Sequence, residues 1–452
     1  MGRRNSKSQM RYERRQYKRK LKQAERNKAI GSMEDLFNFR DLYYYGLKSC
    51  NLVRWKGSVQ NHEMHLVSKT ARMQKDVLEG KWEPDRYIHF IIHERGKVRP
   101  IDAPRIRDRQ MQKLYTKEVL LELYLPSMIY NNGASLPGKG FDFSMKLLEK
   151  ELHEHYRKWG RAGSVILIDF SKFFPNADHD EIKRRHERLI FDPKIRALAD
   201  QIVDSSPEEI GLPLGIETSQ AEMIAYPSEL DNYIKCQLGL KGAGHYMDDY
   251  CILVPPTLDA KEVLELIIAK ATSLKLIINR NKTQIKPLTS TFTWCKTRYT
   301  LTETGAVIKR GNPKNLKRDR HKFLAFPNFL IDEHMGWLEV WTSVNGMIAY
   351  FKKYDDHNRI LKLNRLFFNL FGFYPETIEP FRERSELWST LPISDLREKL
   401  LVEMSTSLPS LDSVQKMALF TSMVNQYAQS TATSALPTSP LTTTEMVCIG
   451  AA

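Results

Sequence analysis

Three acidic residues beside apolar stretches are the candidates for chemistry in this sequence. Asp248 and Asp249 come directly before the apolar run 250–254, and Asp169 follows the apolar run 164–168. Adjacent acids at a turn are common on solvated surfaces, and an Asp after a strand often caps a turn or helix. Two divalent metal ions, however, require several oxygen ligands from separate elements. We therefore expect Asp169 and the Asp248-Asp249 pair to converge on one metal site.

The elements that must position these acids are predicted to form a mixed core of strands and helices. Residues 164–169 are expected to form a buried strand, and 244–254 a strand, a tight turn at the acids and a second strand. Further hairpins are predicted over 87–101 and 292–301. Helices are predicted over residues 66–78, 110–125, 221–238, 260–274, 338–351 and 360–371. The alternation predicts an α+β fold.

The charge of the chain indicates its partner. The 452 residues include 69 Lys and Arg against 54 Asp and Glu, a formal net charge of +15. Basic side chains displace counterions from phosphates, so the surplus favours a nucleic acid over a merely solubilising surface. Residues 2–28 are dominated by Arg and Lys. They are expected either to form a basic helix on nucleic acid or to order on binding.

Cysteine usage and hydropathy indicate the compartment. The five cysteines form no close pairs, which argues against a disulfide framework or a zinc site and fits a reducing environment. No apolar run approaches the ~18–20 residues of a transmembrane helix, and no apolar segment follows the basic N-terminus as in a secretory signal. We expect a cytoplasmic protein with no membrane partner.

Two further segments suit a nucleotide. Lys97 and Arg99 lie on one face of the predicted hairpin 87–101, where they would either clamp a triphosphate or form a solvated face. The Gly/Pro turn 211–215 opens into the helix predicted from residue 221, with Thr218 and Ser219 near its N-cap. Such an N-terminus can rest against phosphates or a base pair.

Together these segments resemble the reverse transcriptases, from about residue 30 to about residue 372. The resemblance rests on several ordered motifs. They are Lys97-Val98-Arg99-Pro100 in the fingers, Asp169-Phe170-Ser171-Lys172-Phe173-Phe174 as motif A, Leu212-Pro213-Leu214-Gly215 through Ser219-Gln220 as motif B, Tyr246-Met247-Asp248-Asp249 as motif C, and Lys282 with the Phe292-Trp294 hairpin where motifs D and E belong. Several motifs in this order are far more specific than any one of them.

The resemblance implies an α+β right-hand polymerase fold, with fingers, a palm built on an antiparallel sheet and a helical thumb. The expected domains are a basic N-terminal arm (1–30), fingers (31–160), palm (161–305), thumb (306–372), a C-terminal helical extension (373–428) and a low-complexity tail (429–452).

The resemblance also implies residue roles. Asp169, Phe170, Asp248 and Asp249 would hold two Mg²⁺ ions, with Mn²⁺ as a substitute, and Lys282 is the candidate general acid for pyrophosphate. Phe292 and Trp294 would form the primer grip. The nucleotide-binding residues would be Lys97, Arg99, Phe170, Phe174, Leu214, Gly215, Gln220 and Tyr246. Phe174 falls at the family's sugar-selecting position, where an aromatic ring would clash with a ribose 2′-hydroxyl, so a DNA product is expected.

Two departures from the retroviral pattern indicate the kind of enzyme. Leu214 stands where retroviral enzymes have a glutamine, and Ser219-Gln220 replaces Ser-Pro. Both features resemble bacterial reverse transcriptases of the diversity-generating and defence-associated kinds. Leu214 removes a hydrogen bond near the base pair, which predicts loose fidelity.

The size of the region after residue 372 favours a defence-associated enzyme that copies its own noncoding RNA, with dNTPs and a primer as its other partners. A diversity-generating role is the alternative. The hydroxyl-rich tail could prime synthesis, join copies into a homo-oligomer or serve as a linker. A non-catalytic RNA-binding or splicing scaffold is a further alternative, but three clustered acids repel one another without metal and would burden a scaffold.

Overall fold

A computed structural model of the chain describes residues 7–94, 97–332 and 334–372. The described residues divide between Leu288 and Thr289 into two compact units. The predicted helical extension (373–428), the tail (429–452) and residues 1–6 of the basic arm lie outside the described residues. The domain limits expected from the sequence therefore stay predictions.

The first unit is rich in helices. They are α1 (Lys7–Ile30), α2 (Met33–Leu36), α3 (Phe39–Cys50), α4 (Gly57–Met64), α5 (Leu66–Leu78), α6 (Ile106–Tyr115), α7 (Leu121–Tyr124), α8 (Phe141–Trp159), α9 (His179–Leu189), α10 (Pro193–Asp204), α11 (Glu217–Ala225), α12 (Ser228–Asn232) and α13 (Ala260–Ser273). Segments Thr116–Leu120 and Tyr233–Gln237 are π-helical, and Leu125–Ser127 is a 3₁₀ turn.

A four-stranded antiparallel sheet forms the centre of the first unit. Its strands are β3 (Ser164–Asp169), β4 (Ala243–Tyr246), β5 (Asp249–Val254) and β6 (Gln284–Pro287), in the order β4-β5-β3-β6. The middle strands are apolar on both faces because helices cover both faces of the sheet. Ile166 and Ile252, paired across β3 and β5, are wholly buried, and each such side chain contributes about 1.5–3 kcal/mol of hydrophobic stabilisation.

A separate hairpin joins β1 (Ile88–Glu94) to β2 (Lys97–Ala103). Residues of α2, α3, α5, α6, α7, α10 and α11 contribute to a core that includes Phe37, Leu42, Tyr115 and Tyr124. The predicted hairpin over 87–101 and the predicted helix over 66–78 are confirmed.

The second unit combines a small sheet with three helices. Strands β7 (Phe292–Trp294), β8 (Thr297–Leu301) and β9 (Val307–Gly311) form an antiparallel meander. Helices α14 (Pro313–Ile331), α15 (Trp337–Lys352) and α16 (His357–Phe371) pack around Phe323, Phe351 and Phe367. The mixture of helices and antiparallel sheets agrees with the predicted α+β class.

Several sequence expectations were wrong in detail. The helix predicted to begin at residue 221 begins at Glu217, so Thr218 and Ser219 lie buried in its first turn, while Ile216 is the N-cap. The salt bridges of Glu217 with Lys113 and Lys117, both 3.0 Å long, fix this earlier start. The same predicted helix does not run unbroken to residue 238, because α12 and a π-helical segment follow α11.

Two strands were missed altogether. No strand was predicted over β6 or over β9. Both are edge strands whose short sequences carry little periodicity of their own.

The basic N-terminal segment is helical from Lys7 to Ile30, which favours the first of the two expectations for it. Among the residues that the structure describes, no helix has both the length and the apolar character needed to cross a membrane.

Candidate active site

The Asp248-Asp249 pair lies where the sequence analysis predicted, at the turn between β4 and β5. Tyr246 pairs with Asp249 across the two strands, so Met247 and Asp248 alone form the turn. Met247 adopts a left-handed conformation with φ of 54°, which a side chain with a Cβ rarely occupies. The turn is therefore tight and requires support from its surroundings.

The register of the central sheet brings the third acid to the same edge. Asp169 is the last residue of β3 and lies directly opposite Asp249, the first residue of β5. Directly paired residues of antiparallel strands have their Cα atoms about 4.5–5.5 Å apart. The backbone thus brings Asp169 to the same edge of the sheet as the Asp248-Asp249 turn, and their convergence on one metal site stays a prediction.

Lys282 forms an ion pair with one acid of this edge. Its Nζ lies 3.2 Å from Oδ2 of Asp169. Asn279 holds both ends of this pair, because its backbone N–H donates to the Asp169 carbonyl (2.8 Å) and its own carbonyl accepts from the Lys282 N–H (3.1 Å). The Lys282 side chain is 63% exposed and can move toward or away from the acid.

The type of these ligands fits Mg²⁺, which prefers carboxylate oxygens. Within the described ranges, however, no three His, Cys, Asp or Glu side chains are gathered closely enough to hold a metal ion. The charge of Asp169 is balanced by Lys282 instead. Binding of a metal ion between Asp169 and the turn would thus compete with the ammonium group of Lys282.

Phe170 is placed so that only its backbone can take part in binding. Its ring is 4% exposed and packs against Phe173 and Tyr250, with centroids 5.5 Å away in each case. Its backbone bridges to Ile278. Any contact of Phe170 with a metal ion or nucleotide falls to its carbonyl oxygen.

Phe174 follows on the same loop and is half-buried. Its ring meets Phe173 edge-on at 6.0 Å, and its carbonyl accepts the backbone N–H of Leu212 at 2.9 Å. The Phe174 ring therefore packs against Phe173, and a backbone hydrogen bond links its loop to the Gly/Pro turn.

The Gly/Pro turn connects the central sheet with the β1–β2 hairpin. The carbonyl of Leu214 accepts the N–H of Asp102 on β2 at 3.3 Å. Gly215 has φ of +99°, and a Cβ there would lie 3.0 Å from Cγ2 of Ile101. Glycine is favoured here because the backbone angle is strained for any other residue and a Cβ would press against Ile101.

Gln220 and His245, the neighbour of Tyr246, both contact the loop around residues 132–135. Nε2 of Gln220 donates to Oγ of Ser135 at 2.8 Å, and Asn132 in the same loop forms a parallel bridge with His245, next to Tyr246. Tyr246 is partly buried against the helical core. The helix α11 and the strand that leads into the acidic turn thus share one supporting loop.

The structure describes only part of the cationic pair Lys97 and Arg99 on the β1–β2 hairpin. Arg99 has an exposed side chain on β2, opposite Ile92. The side chain of Lys97 lies outside the described part of the structure, and its backbone begins β2. Their contact with a triphosphate stays a prediction.

The predicted primer-grip residues belong to the second unit. Phe292 and Trp294 are 1% and 6% exposed, and Phe292 stacks on Tyr299 at 5.5 Å. Both side chains therefore pack inside their own unit. Their role at a primer stays a prediction.

A buried polar network under α11 was not foreseen. The Tyr124 hydroxyl donates to both carboxylate oxygens of Glu222 at 2.9 Å, and Nε2 of His186 lies 3.1 Å from Oε1 of Glu222. Nδ1 of His186 faces Asp200 at 2.7 Å. Burial disfavours the charged imidazole, but the carboxylates of Glu222 and Asp200 outweigh burial and raise the pKa of His186 to about 9.

A second unforeseen network joins His245, Asp231 and Tyr250 next to the Asp248-Asp249 turn, and all three side chains are buried. The only sequence signal for either network is a polar residue amid apolar neighbours, which does not identify its partner.

Comparison with known protein families agrees with this arrangement. The family described as reverse transcriptase (RNA-dependent DNA polymerase) matches residues 86–326, more than half of the chain. The matched span includes all three acids and Lys282. No curated protein shows significant sequence similarity to the chain.

Proposed function

Because the chain belongs to the reverse transcriptase family, we propose that it synthesises cDNA on an RNA template by two-metal nucleotidyl transfer at Asp169, Asp248 and Asp249. The family match supports RNA-directed DNA polymerase activity, with use of an RNA template, a primer and dNTPs. The observation that carries the residue assignment is the register that sets Asp169 opposite Asp249, next to the Asp248 turn.

Mg²⁺ bound to these carboxylates would lower the pKa of the primer 3′-hydroxyl and stabilise charge on the triphosphate. Asp169 and Asp248 are proposed as the main ligands, with Asp249 in support. The sheet contributes rigidity, since β3 and β5 are hydrogen-bonded along their whole length up to the acids. The strands that carry Asp169 and Asp249 therefore form a rigid support for these carboxylates.

Lys282 is proposed as the general acid. Its ammonium group lies 3.2 Å from Asp169, at the edge where the triphosphate would sit. On metal binding this ammonium would be released from Asp169 and could donate its Nζ proton to the departing pyrophosphate. Arg99 and Lys97 would neutralise the phosphate charge that grows in the transition state.

Phe174 is proposed to select the sugar. The ring packs against Phe173, and the Leu212 N–H holds its loop. The ring therefore cannot easily move aside to make room for a ribose 2′-hydroxyl. DNA is therefore the proposed product.

The proposed biological role is bacterial defence with a cognate noncoding RNA as template. Leu214 and Ser219-Gln220 support a bacterial kind of enzyme, and the long region after residue 372 favours defence over diversity generation. Sequencing the nucleic acid that copurifies with the chain tests this role. A single structured RNA and its cDNA are expected, whereas a template repeat with a neighbouring variable repeat in the genome would indicate the diversity-generating role.

Primer extension on an RNA template tests the enzymatic proposal. Asp248→Ala combined with Asp249→Ala should reduce the rate by on the order of a thousandfold or more, because the metal ligands are lost. Glu208→Ala with Glu209→Ala is the matched control, since it removes two adjacent exposed acids outside the site. Synthesis that persists in the double Asp variant would refute the assignment. RNA binding without synthesis in the parent protein would favour the scaffold alternative.

A further inference from the structure

A buried histidine stands directly behind the catalytic turn. His245 is 0% exposed, and its Nδ1 lies 3.1 Å from the carbonyl oxygen of Met247, the first residue of that turn. A carbonyl oxygen only accepts hydrogen bonds, so the network assigns the Nδ1 proton to this contact. His245 is therefore a donor to the backbone that positions Asp248.

The opposite side of the ring is held by Asp231 on α12. Nε2 of His245 lies 3.0 Å from Oδ2 of Asp231, and the Tyr250 hydroxyl donates to the other oxygen, Oδ1, at 2.5 Å. Asp231 is also 0% exposed. A buried carboxylate between two such partners fixes the orientation of both, because either loss would leave a buried polar group unsatisfied.

Packing and backbone contacts prevent the ring from turning away. The His245 ring stacks on Tyr250 with centroids 4.5 Å apart and planes inclined by 7°. The backbone of His245 is bonded on both sides, since its N–H donates to Asn131 (3.2 Å) and its carbonyl accepts from Gly133 (3.0 Å). The stacking and the backbone bonds thus keep the ring next to the turn.

The turn requires such a support. Met247 has a left-handed φ of 54°, a conformation that is unfavourable for a residue with a side chain and persists only where its surroundings impose it. The hydrogen bond from His245 acts on the carbonyl of this residue, which belongs to the peptide unit that joins Met247 to Asp248. It thus acts on the part of the turn that sets the direction of the acid.

We propose that His245 is a positioning residue, which Asp231 orients and which holds the Met247 carbonyl so that Asp248 stays in its reactive place. The inference rests on the proposed polymerase function for its kinetic consequence. The structural contact itself can be tested without catalysis. His245 does not touch substrate in this role.

Two near-isosteric variants separate the two sides of the ring. In His245→Asn the amide nitrogen takes the place of Nδ1, which keeps the bond to Met247 and loses the one to Asp231. In His245→Gln the amide nitrogen takes the place of Nε2, which keeps Asp231 satisfied and leaves the Met247 carbonyl unsupported.

The proposal predicts opposite effects. His245→Gln should lose about tenfold in kcat with an unchanged KM for dNTP and a melting temperature near that of the parent. His245→Asn should melt at a lower temperature, because Asp231 loses a buried partner, but keep kcat within about twofold when assayed well below that temperature.

A spectroscopic measurement on the metal-free protein supplies the readout that a merely structural role would not move. The chain labelled with ¹³C-methyl methionine reports on the turn through the Met247 resonance, which Met247→Leu assigns. This resonance should shift in His245→Gln and stay in place in His245→Asn.

Equal kcat in the parent and His245→Gln, or an unmoved Met247 resonance in that variant, would overturn the proposal. A loss of kcat in both variants in proportion to their loss of stability would also overturn it. If His245→Gln does not fold, His245→Leu replaces it, since leucine makes neither bond. Relative to His245→Asn, which shares the loss of the Asp231 contact, kcat should fall and the Met247 resonance should shift. Failure of the parent to make cDNA would refute the proposed function alone, because the resonance experiment needs no turnover.

Discussion

The stability of the first unit should depend on the protonation of His186. This side chain is wholly buried between Glu222 on α11 and Asp200 on α10, and its pKa is raised to about 9. In the unfolded chain an imidazole loses its proton near pH 6.5. The folded state therefore binds a proton that the unfolded state has already released across the window from about pH 6.5 to about pH 9.

The difference between the folded and unfolded pKa of His186 sets the sign and the size of the change in stability with pH. A raised pKa contributes stability that is fully present below about pH 6.5 and is lost as the pH rises through about 9. Each unit of pKa difference corresponds to 1.36 kcal/mol, so the loss between pH 6 and pH 10 is about 3 kcal/mol. This is a large share of the 5–15 kcal/mol that typically stabilises a folded domain.

Urea unfolding of the full chain at pH 6 and pH 10 measures this loss. His186→Gln is the matched control, because glutamine is neutral at both values and all other titrating groups are shared. The parent should lose about 3 kcal/mol more than the variant over this range. Hydrogen exchange of the peptide 217–225 should show the same trend, since α11 carries Glu222. The same pH dependence in parent and variant, within about 0.5 kcal/mol, would refute the assignment of a charged His186.

Three further predictions concern the site itself. Lys282→Met should lower kcat by about a hundredfold, because Lys282 is the proposed proton donor. Lys261→Met, which removes an exposed lysine on α13, is the control and should keep the parent rate. Equal single-turnover rates for the parent and Lys282→Met would contradict this role. Phe174→Ala should raise incorporation of rNTP relative to dNTP by about tenfold to a hundredfold, and unchanged discrimination in competition assays would remove Phe174 as the sugar gate. Gly215→Ala should cost about 1–2 kcal/mol in urea unfolding, because a Cβ at φ of +99° is strained and meets Ile101; an unaltered free energy of unfolding would show that the turn can relax.

Much of the site could be predicted from the sequence because its signals are local. An apolar run that ends in Asp169, and two acids between strand-forming segments at Asp248-Asp249, predict acids at strand ends from residue type and order alone. The position of Lys282 came from the resemblance to reverse transcriptases, and the structure places it on Asp169. The start of α11 could not be predicted, because Glu217 is fixed by lysines that lie about a hundred residues earlier in the chain.

The sequence by itself determined the strands that carry the acids, the acidic turn, the basic charge and the resemblance to the family. Only the tertiary structure decided that β5 lies between β4 and β3, so that Asp169 faces Asp249, and that His245 and His186 hold the elements behind the site. The physical reason is the range of the interactions. Periodicity and turn chemistry act over a few residues, whereas strand register and buried hydrogen bonds depend on groups that meet only after the chain has folded.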